Sequence, residues 1–290
     1  MTEATKTPLR IGKVTLTVHD LARVSDYYQQ VLGLHRLSAE GDHVTLGAGN
    51  TVLLQLDRDA SARDRSPHDA GLFHTAFLLP DRADLGRWAK RAVEQKLRIL
   101  GASDHGVSEA IYLADPEGNG IEIYADRPRS EWKWQDGRVD MPTHELDVGD
   151  LIATAADTSW KTAPDGTSIG HVHLQVGNIP KAEEFYGGVL GLDITCRYPG
   201  GSFYSSGGYH HHLATNIWKS RDAAPRKEPT TGLADVEIVA DDPALVERAV
   251  ERAHNALLVA DHRGSDLRIH DPWGTHITLA TRDLSPRVSP

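Results

Sequence analysis

The sequence predicts an α+β protein assembled from four βαβββ modules, two in each half of the chain. Three observations carry this reading. Residues 11–34, IGKVTLTVHDLARVSDYYQQVLGL, recur at 169–192 as IGHVHLQVGNIPKAEEFYGGVLGL, an ungapped match with ten identities in 24 positions, so the chain is a duplication. Each copy opens on strict apolar alternation (Val14, Leu16, Val18; Val172, Leu174, Val176), the period of a half-buried strand. An Asp-Pro-x-Gly tetrapeptide stands late in each half, at 115–118 and 271–274. In such a turn proline presets φ and glycine takes the position that would strain a side chain.

After its opening strand each copy runs into a helix bearing an aromatic pair, Tyr27-Tyr28 or Phe185-Tyr186. Val31-Leu32 and Val189-Leu190 follow at helical spacing, and Gly33 or Gly191 stops the helix. β-rich stretches come next, at 43–46 with 51–56 and at 201–204 with 210–216. A second, more diverged module then begins in each half. Gly71-Leu72 opens a strand over 74–79, then a helix over 82–95 and closing strands ending at 121–124. Gly232-Leu233 opens its counterpart, with a helix over 243–254 and a last strand at 277–280. The expected domains are therefore residues 1–126 and 169–290. Residues 127–168 join them, a polar segment whose Trp132, Trp134 and Trp160 are expected to pack onto its neighbours.

Composition removes several classes of function. Of 290 residues 39% are hydrophobic and 25% charged, with 31 Lys and Arg against 41 Asp and Glu, a net charge of −10. That balance argues against a nucleic-acid partner, which needs a basic face. No apolar run approaches the ~20 residues of a membrane span, and residues 1–10 lack the apolar stretch of a secretory signal. Cys196 stands alone, so no internal disulfide forms and a cytoplasmic location is expected. With no base partner in the sequence, its thiol is an unpromising nucleophile. GAGN at 47–50 lacks the Lys and the helix start of a phosphate loop. Sixteen histidines are the one unusual count.

The repeated aromatic-Tyr…VLGL (YY in the first copy, FY in the second), the DPxG…E ending at 115–122, and the segments GHVHLQV (170–176) and GGYHHH (207–212) resemble the vicinal oxygen chelate superfamily. This group includes glyoxalase I, fosfomycin resistance proteins and extradiol ring-cleaving dioxygenases. The resemblance spans nearly the whole chain and is strongest to the two-domain catechol 2,3-dioxygenase branch. It implies two vicinal-oxygen-chelate domains with curved mixed sheets around a cleft. It also implies a metal shared by two paired modules, one giving a His from its first strand and the other a His from its first strand and a Glu from its last. At those positions module one has Lys13, module two His74 and Glu122, module three His171, and module four Asp235 and Thr278. Neither half holds a full set, whereas modules two and three together do. The resemblance therefore implies that module two faces module three, within the chain or across a dimer, leaving modules one and four as a ligand-free pair.

His74, Glu122 and His171 form a 2-His-1-carboxylate set suited to non-haem Fe(II), with Mn(II) or another divalent metal as alternatives. Glu122 lies between Ile121 and Ile123 on a closing strand, where a buried carboxylate needs a cation. His173, two residues beyond His171 on the same strand face, is the rival ligand and otherwise a substrate contact. The run 209–214, YHHHLA, is similar to the HHxLA-type segment bearing the acid–base His of extradiol dioxygenases, which implies that role for His211. Strand alternation would turn His210 and His212 to the other face or to the pocket rim, as substrate contacts. Tyr112, ten residues before Glu122, falls where such enzymes place a phenol beside the substrate oxygen, and His105 is placed to hydrogen-bond a substrate hydroxyl. The expected function is an Fe(II)-dependent extradiol dioxygenase using O2 on a catechol or related dihydroxylated aromatic; a homodimer is common for the architecture. Two alternatives stand beside it. A glyoxalase-like lyase or isomerase would want a fourth ligand where Lys13 or Thr278 stands. A metal-free protein sequestering a drug or natural product would explain the lost ligands of modules one and four.

Overall fold

Module one runs β1 (Leu9–Val18), α1 (Leu21–Tyr27), β2 (His35–Glu40), β3 (His43–Ala48) and β4 (Thr51–Arg58) in a computed structural model that describes residues 2–155, 159–263 and 266–281. Module two contributes β5 (Gly71–Leu78), α2 (Arg82–Glu94), β6 (Gly101–Asp104), β7 (Ser108–Ala114) and β8 (Gly120–Asp126). The connecting segment adds β9 (Trp134–Gln135), β10 (Arg138–Val139), β11 (His144–Glu145) and α3 (Val148–Ala153). Module three is β12 (Ser168–Gln175), α4 (Ile179–Glu183), β13 (Asp193–Tyr198), β14 (Gly201–Ser205) and β15 (Leu213–Asn216). Module four is β16 (Gly232–Ala240), α5 (Pro243–Asn255), β17 (Ala260–Arg263), β18 (Asp266–His270) and β19 (His276–Thr281).

The repeated helices share a design. Asp20 caps α1 by accepting from Arg23 N, and Asn178 caps α4 by accepting from Lys181 N. Each then widens into a π-helical turn, Tyr28–Leu32 or Glu184–Val189, and Gly33 ends the first with φ at 79°. No helix among the described residues is long and apolar enough to cross a membrane.

Beside a two-stranded β9–β10 pair, two large curled sheets result. Their strand orders are β17-β18-β19-β16-β1-β4-β3-β2 and β11-β6-β7-β8-β5-β12-β15-β14-β13. Module four joins module one through β16 and β1, and module two joins module three through β5 and β12. The cross-pairing implied by the distribution of ligands thus occurs within one chain, and each sheet takes one module from each half.

A second bond runs the other way. The repeated tyrosine of each aromatic pair reaches the aspartate of the turn in its own half, Tyr28 Oη donating to Asp115 Oδ2 at 3.4 Å and Tyr186 Oη to Asp271 Oδ2 at 2.9 Å. The other carboxylate oxygen closes the turn, Asp115 Oδ1 accepting from Glu117 N and Asn119 N, and Asp271 Oδ1 from Trp273 N and Thr275 N.

The outer face of the second sheet joins the main core, where Phe77, Ile121 and Ile123 cluster with Leu85 and Trp88 of α2. The inner face carries a smaller cluster that includes Ala76, Leu78, Tyr124, Trp132 and Tyr209. Trp132 and Trp160 are buried as expected, whereas Trp134 is 39% exposed. Strands given no range from the sequence include β2 and β13. Both are edge strands with largely exposed residues, so burial imposes no alternation on them. The strand expected over 210–216 begins only at Leu213. Gly207 and Gly208, at φ 62° and 68°, turn the chain just before it, and the three histidines lie in the bend that follows.

Candidate metal centre and cavity

Three adjacent strands build the centre. Ala76 of β5 stands opposite Glu122 of β8 on one side and His171 of β12 on the other, while His74 stands opposite His173. Residues paired in this way share a face, so Glu122 and His171 flank the small Ala76 side chain and His74 lies two residues along. Two compensating irregularities bracket the ladder. Between Ile169 and His171 the strand β12 carries one extra residue, Gly170, and between His74 and Leu72 the strand β5 carries one, Phe73. Gly170 also answers a close approach, since a Cβ there would lie 1.7 Å from Tyr124 Oη.

The ligand atoms of His74, Glu122 and His171 all lie within 4.8 Å of one another. Glu122 Oε2 is 3.0 Å from His74 Nε2 and 3.3 Å from His171 Nε2, with side-chain exposures of 3%, 8% and 2% in that order. Burial pushes the Glu122 carboxyl up, but the two imidazoles outweigh it and hold the group well below the usual carboxylate range. Burial lowers His171 to about 4, leaving it neutral with a lone pair for a metal. Neither His74 Nε2 nor His171 Nδ1 makes a hydrogen bond among the described residues. A buried carboxylate with two imidazole nitrogens close to it, cut off from water, fits a divalent cation.

The cluster lies on the wall of a cavity of about 300 Å³. Phe73, Phe203, Trp218 and Val107 supply apolar wall, and Met141 and Thr143 bring the connecting segment into it. Tyr112, His105, His173 and His211 line it too. Burial, and next the Glu122 charge, push the Tyr112 phenol well above 10. Tyr112 Oη is 2.8 Å from His105 Nε2, and His105 Nδ1 is 2.9 Å from the Pro142 carbonyl. A carbonyl only accepts, so the proton of the neutral ring sits on Nδ1 and Tyr112 donates to Nε2. His173 packs edge-on against His74 with centroids 5.0 Å apart, but it is not among the three residues whose ligand atoms converge. Its Nε2 faces Asn216 Nδ2 at 3.0 Å, an amide oriented by Trp218 N–H donating to Asn216 Oδ1. Burial holds both His173 and His211 well below the usual imidazole range.

His210 and His212 do not line the cavity, in keeping with the turn to the other face that alternation allowed and not with the substrate contacts also expected of them. The run is a bend and not a strand, so each ring follows its own partner. His212 Nε2 lies 3.0 Å from Thr7 Oγ1 and 3.2 Å from the Ala4 carbonyl, tying down the N-terminal segment. His210 Nε2 lies 2.9 Å from Asp126 Oδ1. Asp126 went unnoticed in the sequence, although Glu122, Tyr124 and Asp126 alternate along one strand face. The positions corresponding to the centre in the other sheet are filled by a polar network: Lys13 Nζ donates to Gln55 Oε1 at 2.8 Å, and Thr278 Oγ1 to Asp235 Oδ1 at 2.8 Å.

Comparison with known proteins places the chain in a family. The model of the Glyoxalase/Bleomycin resistance protein/Dioxygenase superfamily matches residues 10–123 and again 168–281, so the chain belongs to that superfamily. Among particular relatives, catechol-2,3-dioxygenase of Bacillus subtilis (strain 168) is 40% identical over 277 residues, 93% of this chain and 96% of that one. Biphenyl-2,3-diol 1,2-dioxygenase 3 of Rhodococcus globerulus is 28% identical over 131 residues, 42% of this chain and 65% of that one. The crystal structure of glyoxalase I from Zea mays shares the fold, with a TM-score of 0.56 at 14% identity, covering 96% of this chain and 94% of that one.

Proposed function

We propose that this protein is an extradiol ring-cleaving dioxygenase that acts with O2 on a catechol or related dihydroxylated aromatic. The observation that carries this reading is the convergence, on one mostly apolar cavity, of the two-His, one-carboxylate cluster with His211 and Tyr112. Its resemblance to a catechol-2,3-dioxygenase across nearly the full length of both chains supports it.

His74, Glu122 and His171 would hold the metal, Fe(II) by the character of the donor set and Mn(II) as the alternative. A metal held there would supply Lewis acidity toward a dihydroxylated substrate and the redox chemistry by which O2 is used. His211, neutral and on the cavity wall, takes a proton from a substrate hydroxyl. Tyr112 stays protonated and, with its O–H donated to His105 Nε2, offers its oxygen as an acceptor to a substrate hydroxyl. His173 contacts the ring from the aromatic wall formed with Phe73 and Trp218. These walls exclude water from the reacting centre. A lyase reading would call for a fourth ligand, and among the described residues the cluster has three donors.

The test is oxygen uptake with appearance of a yellow ring-opened product, using anaerobically iron-loaded protein and simple catechols under initial-rate conditions. Uptake that depends on both iron and catechol is the expected result. No oxygen consumption with any catechol or hydroquinone tried would overturn the reading in favour of a binding protein.

A further inference from the structure

Beside the cavity three side chains form a line of hydrogen bonds that the proposed chemistry leaves unused. His211 Nδ1 lies 2.7 Å from His210 Nδ1, and His210 Nε2 lies 2.9 Å from Asp126 Oδ1. The line is largely buried: the side chains of His210 and Asp126 are 0% and 14% exposed. The rings of Tyr209 and Trp132 pack against His210 with centroids at 4.0 and 5.0 Å. Tyr209 Oη also donates to Asp126 Oδ1 at 3.0 Å, with Tyr124 Oη 2.9 Å behind it, which fixes the carboxylate in place.

We infer that Asp126 and His210 are positioning residues that set the tautomer of His211 and leave its Nε2 lone pair to the cavity. The catalytic consequence rests on the dioxygenase reading; the hydrogen-bond order does not. An ionised carboxylate only accepts, so the hydrogen between Asp126 and His210 is carried on His210 Nε2. Taken as neutral, the His210 ring then has its lone pair on Nδ1, which accepts, and the donor is His211 Nδ1–H. In the neutral His211 ring this leaves the lone pair on Nε2, the atom a base requires. The opposite tautomer would present an N–H to a substrate hydroxyl and could take no proton from it. The arrangement also explains why a histidine that never reaches the cavity sits fully buried next to one that does.

The test compares two substitutions in the full-length protein. His210→Phe keeps a ring beneath Trp132 but removes both hydrogen bonds; His210→Asn retains an acceptor oxygen near the place of Nδ1. The first readout is ¹⁵N NMR of histidine-labelled protein, with Zn(II) as a diamagnetic probe at the metal centre. The parent should show His211 protonated on Nδ1 and bare on Nε2, and His210→Phe should lose that preference. The second readout is turnover: kcat should fall about 10²-fold in His210→Phe, with KM for catechol and iron content near the parent's, and stay within about tenfold of the parent in His210→Asn. A parent His211 protonated on Nε2, or an unchanged tautomer in His210→Phe, would overturn the inference. So would equal losses of kcat in the two variants. Should His210→Phe fail to fold, the parent's tautomer still decides. If the iron-loaded parent turns over no catechol, the dioxygenase reading falls while the NMR result stands on its own.

Discussion

Glu122 lies close to two imidazoles with only 3% of its side chain exposed, so its charge is compensated by groups brought to it and not by water. Protein isolated without air should therefore carry about one iron or manganese per chain, in keeping with a single three-donor site. Glu122→Ala should retain none by elemental analysis; stoichiometric metal persisting in both Glu122→Ala and His74→Ala would move the site elsewhere. His211 is the contrasting case, a cavity residue whose Nδ1 is taken by His210 and which lies outside the three-donor cluster. His211→Ala should keep its iron and still bind catechol while turnover falls by about 10²–10⁴-fold, the usual share of a general base. Loss of iron in that variant would make the residue a ligand.

At the scale of elements, β5 organises the centre because it is the strand between the two that carry Glu122 and His171. Ala76, fully buried and opposite both, keeps open the space between them. Ala76→Val suits a strand by propensity but puts two methyl groups into that space. The variant should fold with unchanged far-UV circular dichroism, melt with a stability cost of about 1–3 kcal/mol, and hold little metal. Full metal occupancy in this variant would mean that the register drawn here is wrong. The helix-to-turn bond is the second device at this scale. Tyr186→Phe deletes a donor to the buried Asp271 carboxylate and should destabilise by about 1–3 kcal/mol in denaturant titration. Tyr28→Phe, whose bond is longer at 3.4 Å, should cost less.

Over the whole molecule the two kinds of contact are crossed. Sheets join module two to three and four to one, whereas the Tyr–Asp bonds join one to two and three to four. Every module is thereby held to a neighbour in sequence and to a partner from the other half. Residues 1–126 expressed alone hold His74 and Glu122 without His171, and the remaining chain holds His171 without the other two. Neither piece should retain metal after desalting, and tight binding by residues 1–126 alone would show that a local group such as Lys13 completes the site.

What could be read from the sequence was whatever contiguous residues encode. The duplication, the alternating strands, the helix stops and the Asp-Pro-x-Gly turns are local patterns, and the structure has an element at each. The candidate ligand positions came from matching the superfamily's pattern residue by residue, and Lys13, Asp235 and Thr278 at those positions implied that modules one and four make a ligand-free pair. Tertiary structure decided that the paired modules belong to a single chain. It also placed Met141 and Thr143 of the connecting segment in the cavity wall, and it bent the histidine run away from strand geometry. Asp126 shows the reason most plainly. Its strand face could be counted from Glu122, but its partner His210 is 84 residues away. Such a meeting depends on sheet curl and on the extra residues at Gly170 and Phe73, which shift the register without leaving a periodic mark in the sequence.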